Sequence, residues 1–224
     1  MKSKHTLFAG AALALTVALS ASSASAAFFT GTGDAQNAPQ VAGGTMVGFE
    51  SIPLGSYVTV TDGGVSLTGV GGDIRVDNSY AGSYNGRGTR YVDNNAGTTP
   101  TIEFNFAAPV SAFAFNWGAA DNDWTLTLFN GATAVANTVV APTFSSNAGD
   151  YVGWTGAAID RAVLTNMSSY DYVFVDNVTY VGGGGGGAVP EPATWAMMMV
   201  GFLGLGAALR AHRRADQKLD ALRA

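Results

Sequence analysis

Between residues 27 and 181 apolar side chains recur at every second position, and no segment sustains a helical period beyond about two turns. That period belongs to a half-buried pleated strand, so it restricts this stretch to β architecture. Thr101–Phe106 alternates strictly, with Ile102, Phe104 and Phe106 on one face. Val110–Trp117 repeats the pattern through Phe113, Phe115 and Trp117, and Pro109 is expected to break the two into a hairpin-like pair. Tyr57–Thr61 and Val65–Val70 flank Asp62-Gly63-Gly64, and Trp124–Phe129 and Ala132–Val140 flank Asn130-Gly131; both read as hairpins with glycine turns. Ile159–Thr165 and Tyr172–Val181 complete the set, the latter apolar on both faces as a central strand should be. Asp77–Gly97, rich in Tyr, Asn, Gly and Arg, reads as a long loop or irregular edge. Roughly eight to ten short strands at this spacing predict an all-β fold, an antiparallel β-sandwich of jelly-roll type.

Cysteine is absent from the whole chain, so the core must hold the domain without disulfides, and Cys chemistry and thiolate metal sites are excluded. Residues 27–181 also contain no His and no Lys, which removes Ser–His–Asp catalysis and lysine bases. Thirteen acids face four arginines there, a net of −9, and a nucleic-acid partner would require the opposite sign. The whole chain carries only −5 because the remaining bases lie at its ends.

Those ends are the apolar parts. Residues 1–26 have the order of a secretory signal peptide: Lys2 and Lys4, an apolar Leu7–Leu19, then Ala24-Ser25-Ala26, which places the mature N-terminus at Ala27. Export of this kind engages the Sec translocon and signal peptidase. At the other end, residues 182–189 form a glycine-rich linker that opens with six consecutive glycines. Pro190-Glu191-Pro192 follows, then an uncharged stretch Ala193–Leu209 containing Trp195, then Arg210, Arg213 and Arg214. Its 17 residues span about 25 Å as a helix, enough for a short transmembrane segment with the arginines left in the cytoplasm. Residues 215–224 would be a cytoplasmic tail.

Residues 190–214, with Pro-Glu-Pro, Thr194-Trp195-Ala196-Met197-Met198, an apolar helix and a basic stop, resemble the PEP-CTERM sorting signal in its Trp-Ala-Met-Met variant. The resemblance implies recognition by exosortase, an integral-membrane transpeptidase, with processing near Pro190–Pro192. It implies a chain held in the inner membrane with its body in the periplasm, then released to the surface or matrix of a polysaccharide-producing bacterium. The cadence of Pro109–Phe113, Gly153-Trp154 and Val175-Asp176-Asn177-Val178 is also similar to exported bodies of lectin and carbohydrate-binding jelly-roll type.

Chemistry in the body is limited to carboxylates and aromatics. Glu50 and Glu103 are its only glutamates, and a glycosidase needs two flanking carboxyls; no acid-rich strand supports that reading, and Glu103 reads as a solvent-facing strand residue. Asp176 lies within an apolar strand, read on the same face as Phe174 and Val178, where a carboxylate is costly unless paired or metal-bound. Glu50 is its expected companion in a structural Ca²⁺ site. Asp121-Asn122-Asp123 is a lesser candidate, better read as a turn. Tyr80, Tyr84, Arg87 and Tyr91 form the candidate ligand-binding loop, while Trp117 and Trp124 alternate with core residues and are expected to bury. The expectation is therefore a non-enzymatic structural or adhesive protein associated with extracellular polysaccharide. The alternatives are a dedicated carbohydrate-binding module and, below it, a carboxylate glycosidase.

Overall fold

A computed structural model of the chain describes residues 26–182 and Gly201. Twelve antiparallel strands occupy this body: β1 (Ala27–Gly31), β2 (Thr45–Val47), β3 (Gly55–Tyr57), β4 (Thr59–Asp62), β5 (Val65–Val70), β6 (Ile74–Asp77), β7 (Tyr91–Asp93), β8 (Thr101–Gly118), β9 (Trp124–Asn130), β10 (Thr133–Val140), β11 (Tyr151–Asn166) and β12 (Phe174–Gly182). The only helical pieces among the described residues of the body are two short 3₁₀ turns, Ala35–Asn37 and Pro39–Val41. The all-β antiparallel expectation holds.

Two long strands organise the sandwich. The first half of β8 pairs with β5 and with the second half of β11, which continues through β9 to β10. The second half of β8 pairs with β12 and with the first half of β11, which carries β1 on its outer side. β12 in turn pairs with β2 and β7, and β7 leads through β6 to β3. Each long strand thus passes from one sheet into the other, the corner device of bent sandwiches.

Pro109 marks the corner. It does not split the segment into a hairpin: Thr101–Gly118 is one strand of 18 residues. Ala107–Pro109 is its exposed midpoint, and opposite it the β8–β11 register shifts between Thr155 and Ile159 and again before Arg161. A ladder already interrupted by a bulge has no use for the amide that proline lacks. The bend brings the two halves of β8 face to face, with Phe104 at 5.0 Å from Phe115 and 6.3 Å from Phe113 between ring centroids. Trp117 and Trp124 meet at 5.5 Å across the sheets. Burying each such ring contributes about 2–3 kcal/mol, which is how a body without disulfides holds together.

The outer face of the second sheet is also covered. Ala35, Ala38 and Val41 pack on Ala112 and Ala114, and the buried Asn116 ties that segment down. Its Oδ1 accepts the Ala35 N–H at 3.1 Å and its Nδ2 donates to the Gly33 and Gly149 carbonyls at 2.8 and 2.9 Å. Both glycine hairpins form as expected, with Gly63 (φ 54°) and Gly131 (φ 57°) in the left-handed region that the tight turns require.

Two local readings change. The Asp77–Gly97 segment contains a wholly buried strand, β7, wedged between β6 and β12. In β12, Asn177 adopts φ 47° and shifts the register between Asp176 and Thr179. The alternation therefore inverts at this bulge. Val173, Val175 and Val178 join the main core, and Phe174 lies outside that cluster, among the tyrosines. Asp176 does not share a face with Val178.

Candidate functional site

Phe174 is the hub of an aromatic cluster at one end of the second sheet. Tyr91 lies 4.2 Å from it, Tyr172 5.0 Å, Tyr80 5.9 Å and Tyr84 6.0 Å between centroids. Tyr80, Tyr84, Tyr172 and Phe174 line a pocket of about 280 Å³, closed by Phe144, Ser145, Ala119 and Asp121. Phe144 is 60% exposed and Tyr80 44%, so apolar ring surface stands in solvent beside a carboxylate and a hydroxyl. The expected loop thus supplies Tyr80 and Tyr84. Tyr91 is buried beneath them, its hydroxyl accepting the Tyr80 N–H at 3.2 Å, and burial pushes its pKa up to about 12. Arg87 turns away, pairing with Asp34 at 2.8 Å and lying over Gly149, where a Cβ would meet its guanidinium. Neither residue is among those lining the pocket. Phe144, Tyr172, Phe174 and Asp121 come from three other segments, and no local pattern marks them as a group.

The tyrosine loop is pinned before any ligand arrives. Asn85, buried and at φ 65°, donates from Nδ2 to the Trp117 carbonyl and to Asp150 Oδ2, both at 2.9 Å, and accepts the Gly149 N–H at 2.7 Å. The Tyr84 N–H donates to Asn147 Oδ1 at 2.6 Å. Gly118 is obligatory beneath the loop, since a Cβ there would lie 1.6 Å from the Tyr84 carbonyl oxygen. On the other flank, Arg75 donates to the Tyr172 hydroxyl at 2.7 Å and to Asp93 at 3.1 Å, and pairs with Asp77 at 2.6 Å. Burial raises Asp93, and Arg75 opposes that shift; burial and the Asp93 charge raise Tyr172. Asp171, fully buried, accepts the N–H groups of Asp121 and Asn122 and the Trp124 indole N–H at 2.9, 3.1 and 2.8 Å. It shapes the 121–123 turn that the sequence offered as a metal candidate, and in that turn Asp121 faces the aromatic pocket.

Glu50 and Asp176 do approach one another, bridged by residues 87–90. Asp176 Oδ2 accepts the Arg87 N–H at 2.6 Å and Oδ1 the Asn177 N–H at 2.7 Å. Glu50 Oε1 accepts the Thr89 and Arg90 N–H groups at 2.7 and 3.3 Å, and Oε2 accepts the Thr89 hydroxyl. Burial pushes Asp176 up to about 8, with the Glu50 charge adding to the shift. Burial works against Glu50 as well, but the Thr89 and Arg90 contacts bring it below its ordinary value. No three His, Cys, Asp or Glu side chains group together among the described residues. Glu103 stands on β8, paired with Arg161 at 3.5 Å.

Comparison with known proteins places the C-terminal end. Residues 188–214 match the PEP-CTERM protein-sorting motif. The chain carries a PEP-CTERM sorting domain. That motif implies an exported protein sorted by an exosortase. Ala24 and the rest of the expected signal peptide before Ala26, residues 183–189 of the expected linker, Pro190, Glu191, Pro192, Trp195, the arginine cluster at Arg210, Arg213 and Arg214, the expected transmembrane helix apart from Gly201, and the expected tail lie outside the described residues, while Gly182 is the last residue of β12 and not linker. Among the described residues no helix is long and apolar enough to cross a membrane. Ala27, the expected mature N-terminus, is the first residue of β1.

No curated protein matches the sequence. Among solved structures the body is similar to a family 29 carbohydrate-binding module (10% identity, TM-score 0.30, covering 70% of this chain and 88% of that one). It is also similar to variants of such a module complexed with mannohexaose (11%, 0.30, 70% and 92%) and with cellulohexaose (10%, 0.30, 69% and 90%). At these scores the likeness bears no weight.

Proposed function

We propose that this protein is a non-enzymatic component of the cell surface or extracellular matrix, delivered by exosortase processing and associated with extracellular polysaccharide. The observation that carries the reading is the aromatic pocket around Phe174. Rigid, partly exposed rings with Asp121 and Ser145 at their margin suit a sugar, which offers C–H faces to the rings and hydroxyls to the polar groups. Preorganisation by Asn85 and Arg75 removes much of the ordering cost of binding. The sorting signal supplies the route: insertion through the Sec translocon, temporary anchoring in the inner membrane, then release from the helix near Pro190–Pro192.

A dedicated carbohydrate-binding module is the second reading, favoured by the same pinned pocket. Catalysis is not proposed. Glu103, on β8, is paired with Arg161, and Glu50, in the turn between β2 and β3, with the Thr89–Arg90 backbone. We further propose that Glu50 and Asp176 work without Ca²⁺. All four of their oxygens already accept an N–H or O–H, and only two acids meet there, whereas Ca²⁺ takes six to eight oxygen ligands.

The test is affinity electrophoresis of the purified protein through gels containing neutral and acidic bacterial exopolysaccharides. The native chain is retarded by at least one of them, and Tyr80→Ala and Phe144→Ala weaken the retardation about tenfold with unchanged melting. A chain that folds and migrates freely in every gel overturns the polysaccharide reading.

A further inference from the structure

A second cavity, about 590 Å³, opens along the side of the sandwich where both sheets end. β1 is the free edge of one sheet and β10 of the other, and Phe28–Thr32 and Thr138–Val140 form the facing walls. Trp117 lines it while only 2% exposed, so its ring forms the floor. Two polar atoms of the lining are buried without a hydrogen-bond partner among the described residues: the Trp117 indole Nε1 and the Thr143 hydroxyl. The contrast with the other sandwich tryptophans is direct. The Trp124 indole donates to Asp171 and that of Trp154 to the Ala157 carbonyl. A buried donor left without an acceptor costs about 1–3 kcal/mol, so a fold retains one where something supplies the acceptor.

We infer that this groove is a binding site for a neutral saccharide unit, whose hydroxyl oxygen accepts the Trp117 indole N–H and bonds the Thr143 hydroxyl. The lining selects that class. Among the described residues Asp150 is its only charged side chain, and within a body of net charge −9 it disfavours an anion. Thr30, Thr138 and Ser146 add hydroxyls, while Phe28, Val139 and Pro142 add apolar surface. A ring bearing hydroxyls on its edge and C–H groups on its faces meets both kinds of wall; a purely apolar ligand leaves the two buried polar atoms unpaired.

The inference rests on the proposed association with polysaccharide and gives it a second contact point. The segment Pro142–Ser146 separates the two cavities, with Thr143 and Ser146 facing the groove and Phe144 and Ser145 facing the aromatic pocket. The two are therefore neighbouring subsites across one wall, so one domain contacts two sugar units of a chain.

The experiment follows the indole N–H signals of the ¹⁵N-labelled full chain in detergent micelles during titration with dextran, mannohexaose and cellohexaose. The Trp117 signal moves on addition of at least one of them, while those of Trp124 and Trp154 stay. Thr143→Val, which keeps the side-chain shape, weakens the affinity read from that signal about fivefold. Val139→Phe, placed where the side chain is 55% exposed, fills the groove and abolishes the shift without unfolding. A Trp117 shift that survives Tyr80→Ala supports the groove even if the aromatic pocket proves inert. Tyr80-dependent binding with an unmoved Trp117 signal overturns the groove and leaves the aromatic pocket standing. Binding of none of the three glycans overturns the groove. A response confined to β10 amides, as from an added peptide strand, overturns it too.

Discussion

Asp176 makes the stability of this domain fall with rising pH across the neutral range. Its carboxyl is buried on β12, and burial with the nearby Glu50 charge pushes it to about 8, against 3.8 without those effects. Between these values the folded chain holds a proton that the unfolded chain has released. Stability is therefore full below pH 3.8 and is lost as pH rises through 8. The slope approaches about 1.4 kcal/mol per pH unit, and its ceiling over that interval is about 6 kcal/mol, comparable with the whole stability of a small domain. Glu50, lowered by its hydrogen bonds, acts with the opposite sign, but only at acid pH below its ordinary value of 4.5. Asp93, also raised by burial, adds slope of the same sign as Asp176. Urea unfolding followed by tryptophan fluorescence at pH 5, 6, 7 and 8 measures the effect. The native chain loses stability steadily over this series. Asp176→Asn is less stable at pH 5 by about 1–3 kcal/mol, since its amide cannot accept from both Arg87 and Asn177, but its slope is much shallower. An unchanged slope in the variant refutes the assignment. A native stability that rises with pH refutes it too, and with added Ca²⁺ that rise would restore a metal site at Glu50 and Asp176.

Three further outcomes are expected. Gly118→Ala drives a Cβ into the Tyr84 carbonyl and dislodges the tyrosine loop, costing at least about 3 kcal/mol in urea unfolding and exposing Tyr91 to solvent in tyrosine fluorescence. Asp171→Ala leaves the Asp121, Asn122 and Trp124 N–H groups without their acceptor and lowers stability by about 3 kcal/mol, with a shift of the Trp124 indole signal. Mass spectrometry of secreted material finds an N-terminus at Ala27 and a C-terminus near Pro190–Pro192; an intact C-terminal tail on the outer surface contradicts the processing route.

Local pattern carried part of this protein into view. Strict alternation through Ile102, Phe104 and Phe106, and the turns at Gly63 and Gly131, report on neighbouring residues, and a pleat or tight turn needs nothing else. The sorting motif is equally linear, since Pro190-Glu191-Pro192, the uncharged run and the arginines are recognised from consecutive residues. The residues of the aromatic pocket follow the same division. Tyr80 and Tyr84 belong to one loop and were visible together, while Phe144, Tyr172, Phe174 and Asp121 meet only through the ladder.

The linear order of residues determined that this is an exported, cysteine-free β body with a C-terminal sorting signal. Tertiary structure alone decided that Pro109 bends one strand between two sheets instead of ending it. It also decided that Asn177 turns Val178 into the main core, away from the face of Asp176 and Phe174, that Tyr91 is buried, and that Trp117 reaches the edge groove with its N–H unpaired among the described residues. Each of these depends on strand register and bulges set by partners far away in sequence. A one-residue shift in register reverses the face that a side chain occupies, and no periodicity within the strand records it.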